Sequence, residues 1–415
     1  LPNDSKNNIM FRPEFDGACY FVHMNIPRSE GSNDYPYRGG MYIQKAIADQ
    51  IGIDPKTVET QDDFYEMLKK IKEGGFKDIN GNPVYPLGPR YWGGSLASTD
   101  QYVVANYKFG LSADFNVDEN GKVKHEAETD YIFKQIDFFK KLLAEDLIHP
   151  EYFTIDSTRA EELSRNNSSA VIADIHNYID LFKTNEYLPV GPLKNYKGEV
   201  VNLKKSKAGY AGWAIPSTTK NPEEVVKFCD YLATEEGKLL WMYGIEGKHY
   251  KMVDGKPIVE QSMLDLMEED HKAAVDTGIF MDGAGSYWLT FIGSTDVDNV
   301  EDFGEMSYGE NTDPHQYDFA KKLYEYKDIP IKYIDGFGAF AYLQDNPELE
   351  PQLKPLLEQQ NYDDIRVKAI FAKSDEESRK IIENYREQLK KADIEKFEEF
   401  LEKKYKEDPE SINFY

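Results

Sequence analysis

The chain is poor in the residues that staple folds or carry catalysis. It has two cysteines in 415 residues, Cys19 and Cys229, so neither a disulfide framework nor a cysteine-based metal site can be written. One bridge is possible by count. Both thiols, however, sit in apolar patterns (ACYFV and VVKFCDYL), and buried free thiols are the expectation. The seven histidines are scattered. No HExxH, GxSxG or GxxxxGK[ST] occurs, nor a GxGxxG at a strand-to-helix turn, so zinc hydrolysis, the nucleophile elbow and nucleotide phosphate binding have no footprint. No apolar run reaches the roughly 18 residues of a membrane-spanning helix. The opening LPNDSKNN lacks the charged and apolar regions of a signal peptide, and there is no initiating Met, so a processed or truncated chain is expected. Positive charge is also short: 49 Lys and Arg stand against 75 Asp and Glu, a formal charge of −26. Such a surface repels phosphate backbones, which argues against a nucleic-acid partner. It argues equally against an anionic polysaccharide, unless basic residues such as Arg28 and Arg90 reverse the field locally.

What is present is alternation of strand and helix signals, the mark of α/β layering. Ala18–Val22 reads as a strand after Asp16-Gly17, and 41–52 as a helix stopped by Gly52. Thr60 caps a helix whose apolar face is Phe64, Met67, Leu68 and Ile71, closed by Gly74-Gly75. The stretch PVYPLGPRYWGG, residues 83–94, reads as a strand running into an aromatic, glycine-rich loop. Asn120-Gly121 marks a hairpin, and 129–146 a helix with Ile132, Ile136, Phe139 and Leu143 on one face. Then come a helix start at 158–165, strands at 170–173 and 209–216, and a helix opened by Asn221-Pro222. Helices are expected at 259–275, 314–327, 374–391 and 393–405.

Acidic residues are too numerous for any carboxylate pair to point to glycoside hydrolysis. The acidic stretches 296–305 and 118–126 miss calcium-loop spacing, so no metal and no cofactor is expected. The positive signal is aromatic. Tyr91-Trp92, Tyr210 with Trp213, and Trp288 lie beside glycines in loops or at strand ends. Sugar rings stack their C–H faces on such rings, while their hydroxyls require Asp, Asn, Arg and backbone partners. Trp241, among Leu and Met, reads as core.

Two stretches carry more than composition. GYAGWAIPSTTKNPEEVVKFCDYLATEEGKLLWMYGIEGKHYKMVDGKPI, residues 209–258, resembles the extracellular solute-binding proteins of family 1, within their lipoprotein sugar-binding branch. GIDPKTVETQDDFYEMLKKIKE, residues 52–73, is similar to that family's corresponding element, with weaker support from 116–154 and 369–389. The stretch QKAIADQ at 44–50 departs from the family's usual charged helix start.

The resemblance implies an α/β, two-lobed, periplasmic-binding-protein-like fold with crossing hinge strands near Tyr20–Asn25, Gly209–Ile215 and Lys368–Lys373. Lobe one would hold 1–22 and 210–370 and be incomplete at its N-terminal side; lobe two would hold 23–209 and 371–415. It further implies a ligand cleft at the hinge, an oligosaccharide ligand, membrane permease subunits of an ABC importer as partners, and a monomer. The implied location is the cell surface, through a lipid anchor outside this chain. The implied ligand set is Arg90, Tyr91, Trp92, Asp174, His176 and Asn177 from lobe two, Asn25, Tyr210 and Trp213 at the hinge, and Trp288. A glycoside hydrolase or lyase, and a surface-binding module without transport, are the competing readings.

Overall fold

A computed structural model describes residues 21–24, 39–89, 115–117, 122–175, 187–203, 211–232, 234–278, 330–334, 336–337, 340–343 and 345–407. In chain order the elements begin with β1 (Phe21–Met24), β2 (Gly39–Gln44), α1 (Lys45–Ile51), α2 (Gln61–Gly74) and β3 (Tyr85–Gly88). Next are β4 (Phe115–Val117), β5 (Val123–His125), α3 (Tyr131–Ala144), α4 (Ser157–Arg165), β6 (Ser169–Ile175), β7 (Tyr187–Pro189) and β8 (Val200–Leu203). They continue as β9 (Ala211–Ala214), α5 (Pro222–Leu232), α6 (Glu235–Tyr243), β10 (Tyr250–Val253), β11 (Lys256–Val259), α7 (Gln261–Glu269) and α8 (His271–Asp276). Last are β12 (Ile331–Ile334), β13 (Gly336–Phe337), α9 (Phe340–Leu343), α10 (Glu350–Leu357), α11 (Gln359–Ile370), α12 (Asp375–Lys391) and α13 (Ile394–Glu407). None of the described helices is long and apolar enough to cross a membrane.

The chain divides into two compact units, one of Leu1–Tyr35 with Lys205–Lys321, the other of Pro36–Lys204 with Lys322–Tyr415. The second unit is built on a sheet of order β3-β6-β2-β7. Its central strand β2 buries Met41, Tyr42 and Ile43 in succession. The expected helix over 41–52 is therefore a strand followed by the short α1, which ends at Gly52 in the left-handed region. A continuous apolar run has no periodicity to separate buried strand from buried helix.

α2 forms as its sequence predicts: the Thr60 hydroxyl accepts the Asp63 N–H, the Asp63 carboxylate accepts the Thr60 N–H, and Gly75 closes the helix at φ 62°. Phe64, Met67, Leu68 and Ile71 enter the core together with α3 residues Ile132, Ile136 and Phe139. The hairpin expected around Asn120-Gly121 is present as β4 against β5, and β13 adds to its outer edge. Residues 368–370, expected in a crossing strand, are the last turn of α11. Their Ala369 and Ile370 lie in the same core as α12 and α13.

Where α11–α13 meet β5, the interior is polar and hydrogen-bonded. The His125 N–H donates to Glu398 Oε1 at 2.9 Å, and Lys124 Nζ donates to Glu398 Oε2 at 2.5 Å. Gln135 Nε2 donates to Glu126 Oε1, the Tyr362 hydroxyl to Glu126 Oε2, and Arg366 to Gln135 Oε1. Burial, reinforced by the neighbouring Glu128 carboxyl, pushes the Glu398 carboxyl up. The His125 ring is packed edge-on to Phe115, Tyr362 and Tyr385, and its Nδ1 accepts the Ala127 N–H.

In the first unit β1 pairs antiparallel with β9, Val22 opposite Trp213. α5 begins at Pro222 as expected. The expected single helix over 259–275 is two helices, because the Asp270 carboxylate accepts the Ala273 N–H and caps α8. β10 and β11 form a hairpin whose turn, Asp254-Gly255, has both residues at positive φ. His249 explains part of the Gly-Ile-Glu-Gly-Lys-His-Tyr stretch: it is buried, its Nδ1 accepts the Ile245 N–H at 2.9 Å, and a Cβ on Gly244 would meet that nitrogen at 2.2 Å.

Burial holds His125 neutral by lowering its pKa to about 4, so its contribution to stability is complete above the ordinary value near 6.5. Between that value and about 4 the unfolded chain takes up a proton that the folded chain refuses, and about 3 kcal/mol of stability is lost as pH falls. Urea unfolding from pH 7 to pH 4 should show the wild type losing about that much more than His125→Asn.

Candidate functional site

The four-stranded sheet fixes which chain segments share an edge. β3 runs parallel to β6, Leu87 opposite Val171 and Gly88 opposite Ile172. β2 is antiparallel to both β6 and β7. Hence β3, β6 and β7 leave the sheet at one end, and β2 enters at that end with Gly39 opposite Ile175 and Gly40 opposite Asp174. In open α/β sheets, ligands gather outside the carboxyl ends of parallel strands. The exit of β3 is close-packed: a Cβ on Gly88 would lie 2.0 Å from Ser169 Oγ and 2.2 Å from Ser169 Cβ. The segment after β7 is tied to the same region, with Val190, Gly191 and Lys194 N–H groups donating to the carbonyls of Met41, Pro55 and Glu59.

The residues singled out in the sequence fall around this edge to different degrees. Arg90, Tyr91 and Trp92 follow β3 directly, His176 and Asn177 follow β6, and all five lie outside the described residues. Asp174 is placed on β6 opposite Gly40. Asn25, Tyr210 and Trp288 also lie outside the described residues, as does Cys19. Trp213 is half-buried on β9, packed against Cys229 and Leu232 and 6.3 Å from the Phe228 ring. Cys229 is a buried free thiol, and burial raises its pKa, so it is a packing residue.

Sequence reading did not find an aromatic pair that the fold of the second unit assembles. Tyr131, at the start of α3, stacks on Tyr196, from the turn after β7, at 4.7 Å and 22° between planes. Lys134 Nζ stands 5.2 Å from the Tyr131 ring centre, and Lys197 Nζ 5.7 Å from that of Tyr196. The sequence signal was present in Asn195-Tyr196-Lys197-Gly198, an aromatic inside a turn, but nothing local links it to Tyr131.

Among the described residues no group of three or more His, Cys, Asp or Glu is arranged to hold a metal ion. The Asp78-Ile79-Asn80-Gly81-Asn82 turn is satisfied by protein groups. Asp78 accepts the Asn80 and Asn82 N–H groups and the Ser168 hydroxyl. Burial opposes its ionisation, yet these hydrogen bonds hold the carboxyl below its ordinary value.

The fold is shared with solved structures of solute-binding proteins. AlgQ2, an alginate-binding protein crystallised without calcium, superposes at TM-score 0.64 with 17% identity, covering 94% of this chain and 75% of that one. S. pneumoniae FusA, a substrate-binding protein of an ABC transporter solved with kestose, gives 0.65 with 15% identity, covering 95% and 79%. The bacterial extracellular solute-binding protein family model matches residues 25–239, over half of the chain, and the chain belongs to that family. Lipoprotein LipO of Bacillus subtilis is 28% identical over 52% of this chain and 45% of its own length. The polygalacturonan/rhamnogalacturonan-binding protein YtcQ of the same organism is 24% identical over 61% and 50%. The chain thus spans about half the length of these curated relatives.

The contact between Gly88 and Ser169 is testable. Gly88→Ala should destabilise the protein by about 1–3 kcal/mol through overpacking. Ser169→Gly in the same chain should recover part of the loss, read by chemical denaturation of the two single variants and the double variant.

Proposed function

We propose that this protein captures an oligosaccharide outside the cell as the substrate-binding component of an ABC importer and performs no chemistry on it. The observation that carries the reading is the shared edge at which β3, β6 and β7 all end, with the Arg90-Tyr91-Trp92 and His176-Asn177 segments continuing from two of them. Aromatic faces for sugar C–H surfaces and polar groups for hydroxyls are the chemistry a saccharide requires. The proposed contacts are Arg90, Tyr91, Trp92, Asp174, His176 and Asn177, with Asn25, Tyr210, Trp213 and Trp288 completing the set. A curated relative that carries a polysaccharide-binding name supports the ligand class. The family's extracellular description and a relative named as a lipoprotein support a tethered location at the cell surface. The partners that follow are membrane permease subunits receiving the loaded protein, which itself acts as a monomer.

Titration calorimetry against neutral and acidic oligosaccharides should give saturable one-to-one binding of at least one of them. Chromatography of the same mixtures after long incubation should return the saccharide intact. Release of shorter products, abolished by replacing a single carboxylate, would instead support the hydrolase reading. Trp92→Ala should weaken binding by about five- to thirtyfold, the loss of one aromatic anchor at about 1–2 kcal/mol.

A further inference from the structure

β2 opens with two glycines, Gly39 and Gly40, ahead of the buried run that starts at Met41. Glycine weakens a strand, and in that setting it marks a place where another backbone or a ligand comes close. The pair sits at the end of the sheet where β3, β6 and β7 leave it, with Gly39 opposite Ile175 and Gly40 opposite Asp174. Directly opposed residues of an antiparallel pair share a face of the sheet. The β2 neighbour of Asp174 on that face therefore carries no side chain.

Backbone direction adds a second feature. The Val190 N–H donates to the Met41 carbonyl, so the polar backbone groups of Met41 point toward β7. Those of successive strand residues alternate in direction, so Gly39, two residues earlier, points the same way. β7 has turned off by then. Its pairing with β2 covers Tyr187–Pro189, the Gly191 N–H donates to the Pro55 carbonyl, and the next residue is Pro192, which has no N–H. Gly39 thus directs one N–H and one carbonyl past the end of the β7 ladder, beside the bare position next to Asp174.

We propose that Gly39, Gly40 and Asp174 form a seat for one neutral sugar unit, whose ring lies against bare strand backbone. An ionised Asp174 carboxylate only accepts hydrogen bonds and takes two ring hydroxyls. The Gly39 N–H and carbonyl supply a donor and an acceptor for a further hydroxyl. A uronate would set its own carboxylate against that of Asp174 and is disfavoured. Gly40 determines specificity by what it lacks, because any side chain there fills the space that the ring takes. The seat rests on the saccharide reading above and specifies one unit of its ligand as neutral.

The test titrates the full chain calorimetrically with two neutral probes, maltotetraose and kestose, and with tetragalacturonate. Variants are Gly40→Ala, Gly40→Val, Asp174→Asn and the double variant Gly40→Val with Asp174→Asn, each with its thermal midpoint measured. Wild type should bind a neutral probe more tightly than tetragalacturonate. Gly40→Val should weaken that binding at least about tenfold, and Gly40→Ala about two- to fivefold. Their thermal midpoints should hold or rise, because glycine is the poorer strand residue. Asp174→Asn should weaken binding about tenfold, and the double variant should lose less than the product of the two single losses, since both residues hold the same ring. Gly40 variants that bind as wild type does, or whose thermal midpoints fall by several degrees, overturn the seat and leave the saccharide reading standing. A wild type that binds no neutral oligosaccharide, or that prefers tetragalacturonate, does the same. A wild type that binds no oligosaccharide of either kind overturns both.

Discussion

The burial of β2 between β6 and β7 is the constraint on which the second unit's architecture rests, and its effect reaches well beyond that strand. Met41, Tyr42 and Ile43 are all removed from solvent, so β2 has no exposed face to offer, and neither direction of side-chain alternation can be shifted outward. A slip of one residue would exchange which residues meet each layer, in a core already close-packed. The Gln44 amide fixes the end of the strand by donating to the Ser169 carbonyl at 2.7 Å and the Asn167 carbonyl at 3.2 Å. With β2 pinned antiparallel, β6 and β7 must run together, and β3 follows β6. The gathering of three strand exits at one edge is thus a consequence of where an apolar run is buried, made before any ligand-binding side chain is considered.

A second consequence concerns how the C-terminal helices are held. They meet β5 through Glu398, a buried carboxyl that accepts a backbone N–H and an ammonium. Glu126, Gln135, Tyr362 and Arg366 form a neighbouring chain of hydrogen bonds, and Arg366 also pairs with Asp363 at 3.6 Å. Such a network adds little net stability over an apolar interior, but breaking one member exposes the rest to an uncompensated loss of about 3–5 kcal/mol. Its value is positional: the groups are satisfied in one helix arrangement, so α11, α12 and α13 are placed on β5 with a defined register. The exposed ion pairs elsewhere, such as Lys45–Asp49 and Lys272–Asp276, contribute far less to that specificity.

Local chemistry made much of the fold legible from the sequence. Thr60 with Asp63, Asn221-Pro222, and Ser374 before α12 each mark a helix start by a mechanism confined to a few residues. The misreadings share the opposite character. Met41–Ile43 is strand because of partners more than a hundred residues away, which no window over 41–52 contains. Asp270 splits an otherwise helical pattern because its carboxylate turns to the Ala273 N–H, a choice made by backbone direction and not by hydrophobic period. The crossing strand that the family resemblance implied near Lys368–Lys373 is, at 368–370, the last turn of α11, whose Ala369 and Ile370 enter the helical core. At the candidate site, sequence could name loops by their glycines and aromatics. It could not join Tyr131 to Tyr196, because their meeting depends on α3 and the turn after β7 being brought together by the sheet.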